Sequence, residues 1–219
     1  MLYHIEEDNN MVKIFNFDGS YQVSANIYVV GKIGGNCAVI DFGSSDESVF
    51  DYIDSHYERC SGLFLTHGHF DHLRGVNEFC KRHKDVPVYI HSEDVPLLDS
   101  PALNCSQQHG EKVKVVVPVT EVKDGDVIET KDFKIKVIHT PFHTAGSVCY
   151  LFEDDNALFS GDTLFKGSIG REDMPTSVPE FRESSFDKLK SLRNTLVVYP
   201  GHGPVTKLQD ELNNNPYLK

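Results

Sequence analysis

The sequence predicts an α/β protein with a four-layer αββα sandwich, in which two mixed sheets pack face to face and helices cover their outer faces. Short apolar runs typical of strands fall into two batches along the chain, and helical patterns are interleaved with each batch. Such a sheet must bury one face against the other sheet and one under helices. The 219 residues contain no repeat, low-complexity tract or linker, so we expect residues 1–219 to form a single domain.

The first batch contains two predicted helices among its strands. Strand-like runs are found at 12–17, 26–30, 37–42 and 62–66. The spacing of apolar residues predicts a helix over 44–57, which Ser44 and Glu47 would open as a capping box. A second helix is predicted over 71–83, because its apolar residues also recur on one face.

The second batch follows a middle region with several prolines, which favour loops. In that region 88–91 is a clear strand, and 112–119 is typical of a strand or sheet edge. Strands are predicted again at 133–138, 147–153, 157–160 and 196–199. A helix should run from Pro179 to about Leu192, and a short helix should follow Thr206.

The composition excludes several classes of protein. No apolar run approaches the roughly 20 residues of a membrane span, and the acidic N-terminus lacks the features of a signal peptide. Five cysteines without a CxxC pair indicate neither a disulfide framework nor a zinc ribbon, and they fit a protein of the reducing cytoplasm. The net charge of −12 argues against a nucleic-acid partner, because phosphate binding needs clustered Lys and Arg.

Residues capable of binding metal follow several strands directly. The stretch LTHGHFDH lies behind the fourth strand-like run and places three histidines and an aspartate within six positions. Later strands run into single His or Asp residues in the same way. Because side chains beyond the strand ends of α/β sheets converge, seven donors are expected to meet: His67, His69, Asp71, His72, His143, Asp162 and His202.

The number and type of these donors indicate two ions. Seven are too many for one ion, which usually has four ligands, and they suit two ions that share a carboxylate. Nitrogen and oxygen donors without a thiolate suit zinc first, with iron and manganese as alternatives. The sequence therefore predicts two divalent metal ions per chain.

Each element also has a simpler explanation. The motif at 67–72 could be a polar turn with Asp71 as the N-cap of a helix, and Asp162 could cap a turn. His143 could be a hydrogen-bonded loop residue, whereas His202 between two glycines is unusual as a core residue. Because the four motifs occur together, the metal-site interpretation is favoured.

The sequence around these donors resembles the metallo-β-lactamase superfamily. THGHFDH has the form of that superfamily's metal-binding motif. TPFHTAGS, SGDTLFKGSIGR, YPGHGPVT and NNNPYLK resemble its short, single-domain glyoxalase II-like (hydroxyacylglutathione hydrolase-like) branch. The resemblance runs in order from about Asn26 through nearly the whole chain, and it implies the metallo-β-lactamase fold.

The resemblance also implies individual roles. A first metal would be bound by His67, His69 and His143, and a second by Asp71, His72 and His202. Asp162 would bridge the two metals, and Asp71 and Asp162 would be the catalytic residues. Asp41, which ends the strand AVIDF, would support the ligands from behind.

Substrate contacts are a less complete part of the resemblance. Full-length glyoxalase II has a basic residue that helps to bind glutathione at the place of Arg171, which makes Arg171 and the nearby Lys166 candidates for substrate binding. An exposed arginine in a glycine-rich loop is the alternative. Asp173 stands where the full-length enzymes have an aromatic residue, and only 17 residues follow His202, so their C-terminal helical domain is expected to be missing.

The implied reaction is hydrolysis of a thioester of the S-2-hydroxyacylglutathione type by a metal-bound hydroxide, with a small thioester as partner. The thiolate is a good leaving group, so no acyl-enzyme is expected. An iron-dependent persulfide dioxygenase that uses His67, His143 and Asp162 is one alternative, and a lactonase or other acyl hydrolase is another. True β-lactamases usually have Cys where Asp162 stands. The non-enzymatic alternative is a protein that binds metal without turnover.

Overall fold

The computed structural model describes residues 12–15 and 25–219, and in these ranges twelve strands form two six-stranded sheets. In each sheet every strand pairs with its neighbours in sequence. The first sheet consists of β1 to β6, which are Val12–Phe15, Ile27–Val30, Asn36–Ile40, Arg59–Phe64, Val88–His91 and Thr120–Val122. The second consists of β7 to β12, which are Val127–Glu129, Lys134–His139, Val148–Phe152, Ala157–Gly161, Val197–Pro200 and Thr206–Lys207.

Both sheets mix parallel and antiparallel pairs, as predicted. Strands β1, β2 and β3 are antiparallel, and β3, β4, β5 and β6 are parallel. In the second sheet β7 to β10 are antiparallel, β10 and β11 are parallel, and β12 is antiparallel to β11. Parallel neighbours require a crossover connection, which brings helices onto the outer faces.

The described α-helices are short. They are α1 to α5, with bounds Glu47–His56, Val76–Arg82, Val95–Leu98, Arg182–Lys190 and Leu208–Asn214. Single turns of 3₁₀ helix occur at Phe70–His72, Ser92–Asp94, Ser106–His109 and Pro179–Phe181. No helix in the described part of the chain is long and apolar enough to span a membrane.

Three apolar layers separate the four structural layers. In β2, Ile27 and Val29 pack toward the helices, whereas Tyr28 and Val30 pack into the layer between the sheets. The same alternation in β3, β4, β9 and β10 explains why these strands read as continuous apolar runs, because both of their faces are buried. The predicted αββα sandwich is confirmed.

The helices are held by large apolar side chains. Phe50 of α1 and Phe79 of α2 are fully buried against the first sheet, and Phe186 of α4 and Leu208 of α5 are buried against the second. Each side chain of this size contributes about 1.5–3 kcal/mol when it is removed from water. Each sheet is therefore packed on both of its faces. This packing also holds the loops that extend from the strand ends in place.

Some local predictions were wrong. The N-cap of α1 is Asp46, whose carboxylate accepts from Ser48 N at 2.8 Å, so Ser44 does not form the predicted capping box. The segment 112–119 contains no strand. Its backbone bonds to the side chain of Asn77, which donates to Lys114 O and accepts from Val116 N, and these bonds replace those of a sheet.

Other differences concern the ends and the shortest elements. The helix predicted over 71–83 begins only at Val76, after a 3₁₀ turn, and the one near Pro179 also begins with a 3₁₀ turn. The strands β6, β7 and β12 were not predicted. The predicted strand at 12–17 is described only as far as Phe15, and its remainder lies outside the described residues.

Candidate metal centre

The seven predicted donors lie together at one edge of the two sheets. The segment after β4 carries His67, His69, Asp71 and His72, and the ends of β8, β10 and β11 lead to His143, Asp162 and His202. Strands β8, β10 and β11 run in the same direction, so their carboxyl ends open at the same edge. Six of the seven are buried, and His202 is partly exposed.

The first donor set consists of His67, His69 and His143. One ligand atom from each lies within 4.8 Å of the others. The closest pair is His69 Nδ1 and His143 Nε2, at 2.9 Å. Three histidines in this arrangement can hold one divalent ion.

The second donor set consists of Asp71, His72 and His202. Here too one ligand atom from each lies within 4.8 Å of the others. His202 Nε2 is 3.1 Å from Asp71 Oδ2, and His72 Nε2 is 3.9 Å from the same oxygen. The two sets match the division implied by the sequence, although their roles as ligands stay predictions.

Asp162 lies between the two sets. Its Oδ1 is 3.4 Å from His72 Nε2, and its Oδ2 is 3.5 Å from both His143 Nε2 and His202 Nε2. The carboxylate therefore faces one member of the first set and two of the second. This is the position that a bridging ligand requires.

Hydrogen bonds behind the rings fix which nitrogen of each histidine faces the centre. His72 Nδ1 donates to Asp41 Oδ2 at 2.7 Å, and His143 Nδ1 donates to the carbonyl of Arg171 at 2.8 Å. Thr66 Oγ1 donates to Asp41 Oδ2 at 2.8 Å and so accepts from His67 Nδ1 at 3.1 Å. The opposite nitrogens, His67 Nε2, His72 Nε2 and His143 Nε2, therefore face the centre.

His69 has a partner that the sequence did not predict. Its Nε2 lies 3.3 Å from Thr176 Oγ1, and its Nδ1 faces the centre, 2.9 Å from His143 Nε2. Thr176 is more than a hundred positions away in sequence and follows no motif. Only the path of the loop after β10 could have revealed it.

The centre contains buried polar atoms that lack a hydrogen-bond partner. Among the described residues four buried side-chain atoms are unpaired, and three of them belong to the centre: His67 Nε2, His72 Nε2 and Asp162 Oδ1. An unpaired buried polar atom costs about 1–3 kcal/mol. Two divalent cations would satisfy these atoms, so the donors present fit the predicted pair of metals.

The pKa values of histidines in the centre shift in opposite directions. Desolvation, with a smaller contribution from neighbouring histidines, holds the pKa of His67 well below its usual value and that of His69 at about 3. Desolvation also lowers the pKa of His72, but the carboxylates of Asp41, Asp71 and Asp162 outweigh it and raise that pKa well above its usual value. His67 and His69 are therefore held in the neutral form in which histidine binds a metal, whereas His72 lies among carboxylates that favour its charged form.

Close approach of the backbone completes the centre. A Cβ at Gly201 would lie 2.2 Å from Asp162 Oδ1 and 2.8 Å from His72 Cε1. Only glycine lets the chain after β11 pass this close to the shared carboxylate. Gly201 is one of the two glycines that flank His202 in the sequence.

The predicted substrate residues lie apart from one another. Arg171 is exposed, and its guanidinium donates to Asp173 Oδ1 at 2.8 Å and Oδ2 at 2.9 Å, while its carbonyl holds His143. Lys166 lines a cavity of about 370 Å³ together with Thr206 and Glu211, and none of the seven donors lines that cavity. Substrate binding by either residue stays a prediction.

Comparison with known proteins identifies a family with this site. A model of the Metallo-beta-lactamase superfamily matches residues 21–202. The chain is 31% identical over 198 residues to a probable metallo-hydrolase, YqgX of Bacillus subtilis, with 90% of this chain and 93% of the relative covered. It is 30% identical over 186 residues to the hydroxyacylglutathione hydrolase GloC of Haemophilus influenzae, with 84% and 87% covered.

Solved structures show the same architecture. The crystal structure of the BLEG-1 B3 metallo-beta-lactamase is similar with a TM-score of 0.86 and 30% identity, covering 95% of this chain and all of that one. The structure of TTHA1623 in a di-iron-bound form is similar with a TM-score of 0.78 and 33% identity, covering 90% and 96%. The likeness thus extends over nearly the whole described chain.

Proposed function

We propose that this chain, which belongs to the metallo-beta-lactamase superfamily, is a two-metal hydrolase that cleaves a thioester of the S-2-hydroxyacylglutathione type. Membership of the superfamily and the relatives support a metal-dependent hydrolase. The observation that carries the two-metal part is the position of Asp162, whose oxygens lie 3.4–3.5 Å from donors of both sets.

The residues that would hold the metals are the two donor sets with Asp162 between them. When bound, divalent ions of this kind activate water for attack and polarise the substrate carbonyl. Zinc is our first choice, and the di-iron form of one similar structure keeps iron as an alternative. The reaction adds water across the thioester and yields a carboxylic acid and a thiol.

The chain's own groups would orient and deprotonate the water. Asp71 and Asp162 are the carboxylates of the centre, and both are held ionised: desolvation raises their pKa, but the neighbouring histidines outweigh it and hold that pKa below its usual value. They are therefore acceptors at neutral pH. The departing thiolate needs little proton assistance, since the pKa of a free thiol of this type is about 8.5.

No side-chain nucleophile is required by this proposal. Cys149 is fully buried within β9, with its thiol against Thr140 Oγ1 and the carbonyl of Ser160. Burial raises the pKa of Cys149 to about 11, which keeps it in the unreactive thiol form. All five cysteines are free, which supports a reducing cytoplasmic location.

The thiol carrier depends on the loop after β10. Arg171 lies in that loop, but its Nε and Nη2 already donate to the two carboxylate oxygens of Asp173. A carboxylate of glutathione would compete with Asp173 for the same donors. We therefore expect a smaller contribution from Arg171 than a freely available arginine would give.

A second function is favoured by one comparison. The BLEG-1 structure is described as a B3 metallo-beta-lactamase, and it is similar over 95% of this chain. Hydrolysis of a β-lactam ring uses the same attack on a carbonyl carbon, with an amine in place of a thiolate. The persulfide dioxygenase alternative needs only His67, His143 and Asp162, so it leaves the second donor set without a role.

The test compares three substrates on one preparation with its metal content quantified. We expect the purified protein to hydrolyse S-lactoylglutathione and to lose this activity after chelation. Asp162→Ala should abolish turnover, and Asp187→Ala, an exposed aspartate of α4, serves as the matched control. Hydrolysis of a chromogenic β-lactam without thioester turnover would replace the proposed substrate. Oxygen uptake with glutathione persulfide would replace the proposed reaction.

A further inference from the structure

A buried carboxylate outside the seven donors lies against the first donor set. Asp94 ends the 3₁₀ turn that follows β5, and its side chain is fully buried. It belongs to no motif that the sequence associated with the site. None of the hydrogen-bond partners described for Asp94 is a Lys or Arg, so uncharged groups hydrogen-bond to its carboxylate.

Those groups are three hydrogen-bond donors from two loops. Gly68 N donates to Asp94 Oδ2 at 2.7 Å, and Thr144 Oγ1 donates to the same oxygen at 2.7 Å. Gly146 N donates to Oδ1 at 2.8 Å. A Cβ at position 146 would lie 2.6 Å from Asp94, so only glycine allows this amide to approach.

The two loops carry every member of the first donor set. Gly68 is the residue between His67 and His69, and Thr144 directly follows His143. One carboxylate thus joins the loop of the first sheet to the loop of the second. Hydrogen bonds from amides and hydroxyls to a carboxylate are strong, and they are stronger still away from water.

We infer that Asp94 is the positioning residue of the first metal set, which fixes the distance between the His67–His69 segment and His143. Asp41 acts on the second set by contacting a ring nitrogen, whereas Asp94 acts through the backbone on either side of the rings. This inference rests on the two-metal part of the proposed function and is independent of the substrate.

Metal affinity of each set, measured separately, tests the inference. In a His202→Ala background zinc binding reports the first set, and in a His69→Ala background it reports the second. Metal-free protein is titrated with Zn²⁺ against a chromophoric chelator. Asp94→Asn keeps the shape of the side chain but replaces one carboxylate oxygen with an amide nitrogen. At least one hydrogen-bond donor of the two loops is then left without an acceptor.

We expect Asp94→Asn to weaken zinc binding in the His202→Ala background by roughly 10- to 100-fold, the usual effect of removing a partner of the ligands. Binding in the His69→Ala background should be unchanged. Thr144→Val, which removes one of the three hydrogen bonds, should weaken zinc binding at the first set by less than Asp94→Asn does. Thr144→Ser, which keeps the hydroxyl, should bind zinc as the protein with Thr144 does. The threonine pair decides the question if Asp94→Asn does not fold.

Glu211→Gln is the matched control. Glu211 is also buried and also accepts three hydrogen bonds, from Gly167 N, Thr206 Oγ1 and Asn215 Nδ2. Its loss should lower the thermal stability of the metal-free protein without selective loss of zinc at the first set. Asp94→Asn, in contrast, should lower zinc affinity at the first set and leave the second set unchanged.

The outcomes are distinct. Equal weakening of both sets, or loss of thermal stability with unchanged zinc affinity, would show that Asp94 only stabilises the fold and would overturn the inference. Two ions bound by the wild type with no effect of Asp94→Asn would overturn it and leave the proposed function intact. A wild-type protein that binds neither Zn²⁺ nor Fe²⁺ would refute both.

Discussion

Asp41→Asn is the sharpest test of how the second metal set is oriented. Asp41 has a left-handed backbone, with φ of 53°, and is buried beside His72. Asparagine is one of the few residues that tolerate this conformation, so the exchange keeps backbone and shape. What changes is the charge and one hydrogen-bond acceptor.

The size of the effect follows from the three bonds that Asp41 accepts. Oδ1 accepts from Thr66 N, and Oδ2 accepts from Thr66 Oγ1 and from His72 Nδ1 at 2.7 Å. An amide nitrogen in place of Oδ2 would meet the N–H of His72 and drive its proton to Nε2, the nitrogen that faces the centre. If the amide turns the other way, it meets the N–H of Thr66 instead.

Either arrangement loses one hydrogen bond to a charged group, which contributes about 1.5–3 kcal/mol. Since each 1.4 kcal/mol is tenfold in an equilibrium constant, we expect zinc binding at the second set to weaken by roughly 10- to 100-fold. The measurement is the same chelator competition, performed in the His69→Ala background, with urea unfolding of the metal-free protein alongside.

Asp85→Asn provides the control for this exchange. Asp85 also has a left-handed backbone, with φ of 65°, but it is exposed and precedes β5, at the sheet edge opposite the one where the donors follow the parallel strand β4. Its substitution should change neither zinc affinity nor stability. If Asp41→Asn bound zinc as tightly as the Asp85→Asn control, the orienting role assigned to the bond between Asp41 and His72 would be refuted.

Three further results are expected. Asp162→Ala should reduce metal content to at most one ion per chain, because both sets lose their shared carboxylate; two retained ions would contradict this. Gly201→Ala should also lose metal by elemental analysis, because its Cβ would lie 2.2 Å from Asp162 Oδ1, and full retention would show that the loop relaxes. Desolvation and the stacked His139 lower the pKa of His91 from 6.5 to about 4, so the unfolded state binds the proton first and stability falls as pH drops through this window. Between pH 7.5 and pH 5 the free energy of unfolding should fall by about 2 kcal/mol less in His91→Asn than in the wild type, measured by urea titration. An equal fall in both proteins would exclude His91 as its source.

The fold and the donors could be predicted because each leaves a local record in the sequence. Strands such as β9 are buried on both faces and therefore appear as apolar runs. The donors follow strand ends in short, glycine-containing turns. The short strand β7 has mostly exposed residues and gives no such record, which is why it was missed.

The groups behind the donors could not be predicted for a different reason. Thr176 contacts His69, and Asp94 contacts residues beside the first set, only after distant loops meet, and their own surroundings in sequence are ordinary. Asp41 was assigned from the resemblance to the superfamily, which places an acidic residue at the end of this strand. The valines of 112–119 misled the prediction, because the side chain of Asn77 supplies bonds that a neighbouring strand would otherwise supply.

The division of the donors between the two sheets has a consequence for biosynthesis. Four donors lie between residues 67 and 72, but the rest appear only at residues 143, 162 and 202. A ribosome releases the chain from its N-terminus, so a nascent chain presents an incomplete cluster until the segment after β11 has emerged. The second sheet must then dock, as it does when Val148 N donates to Thr66 O at 2.9 Å, before the seven side chains face one another. The complete seven-donor cluster can therefore form only after the segment after β11 has been synthesised and the second sheet has docked.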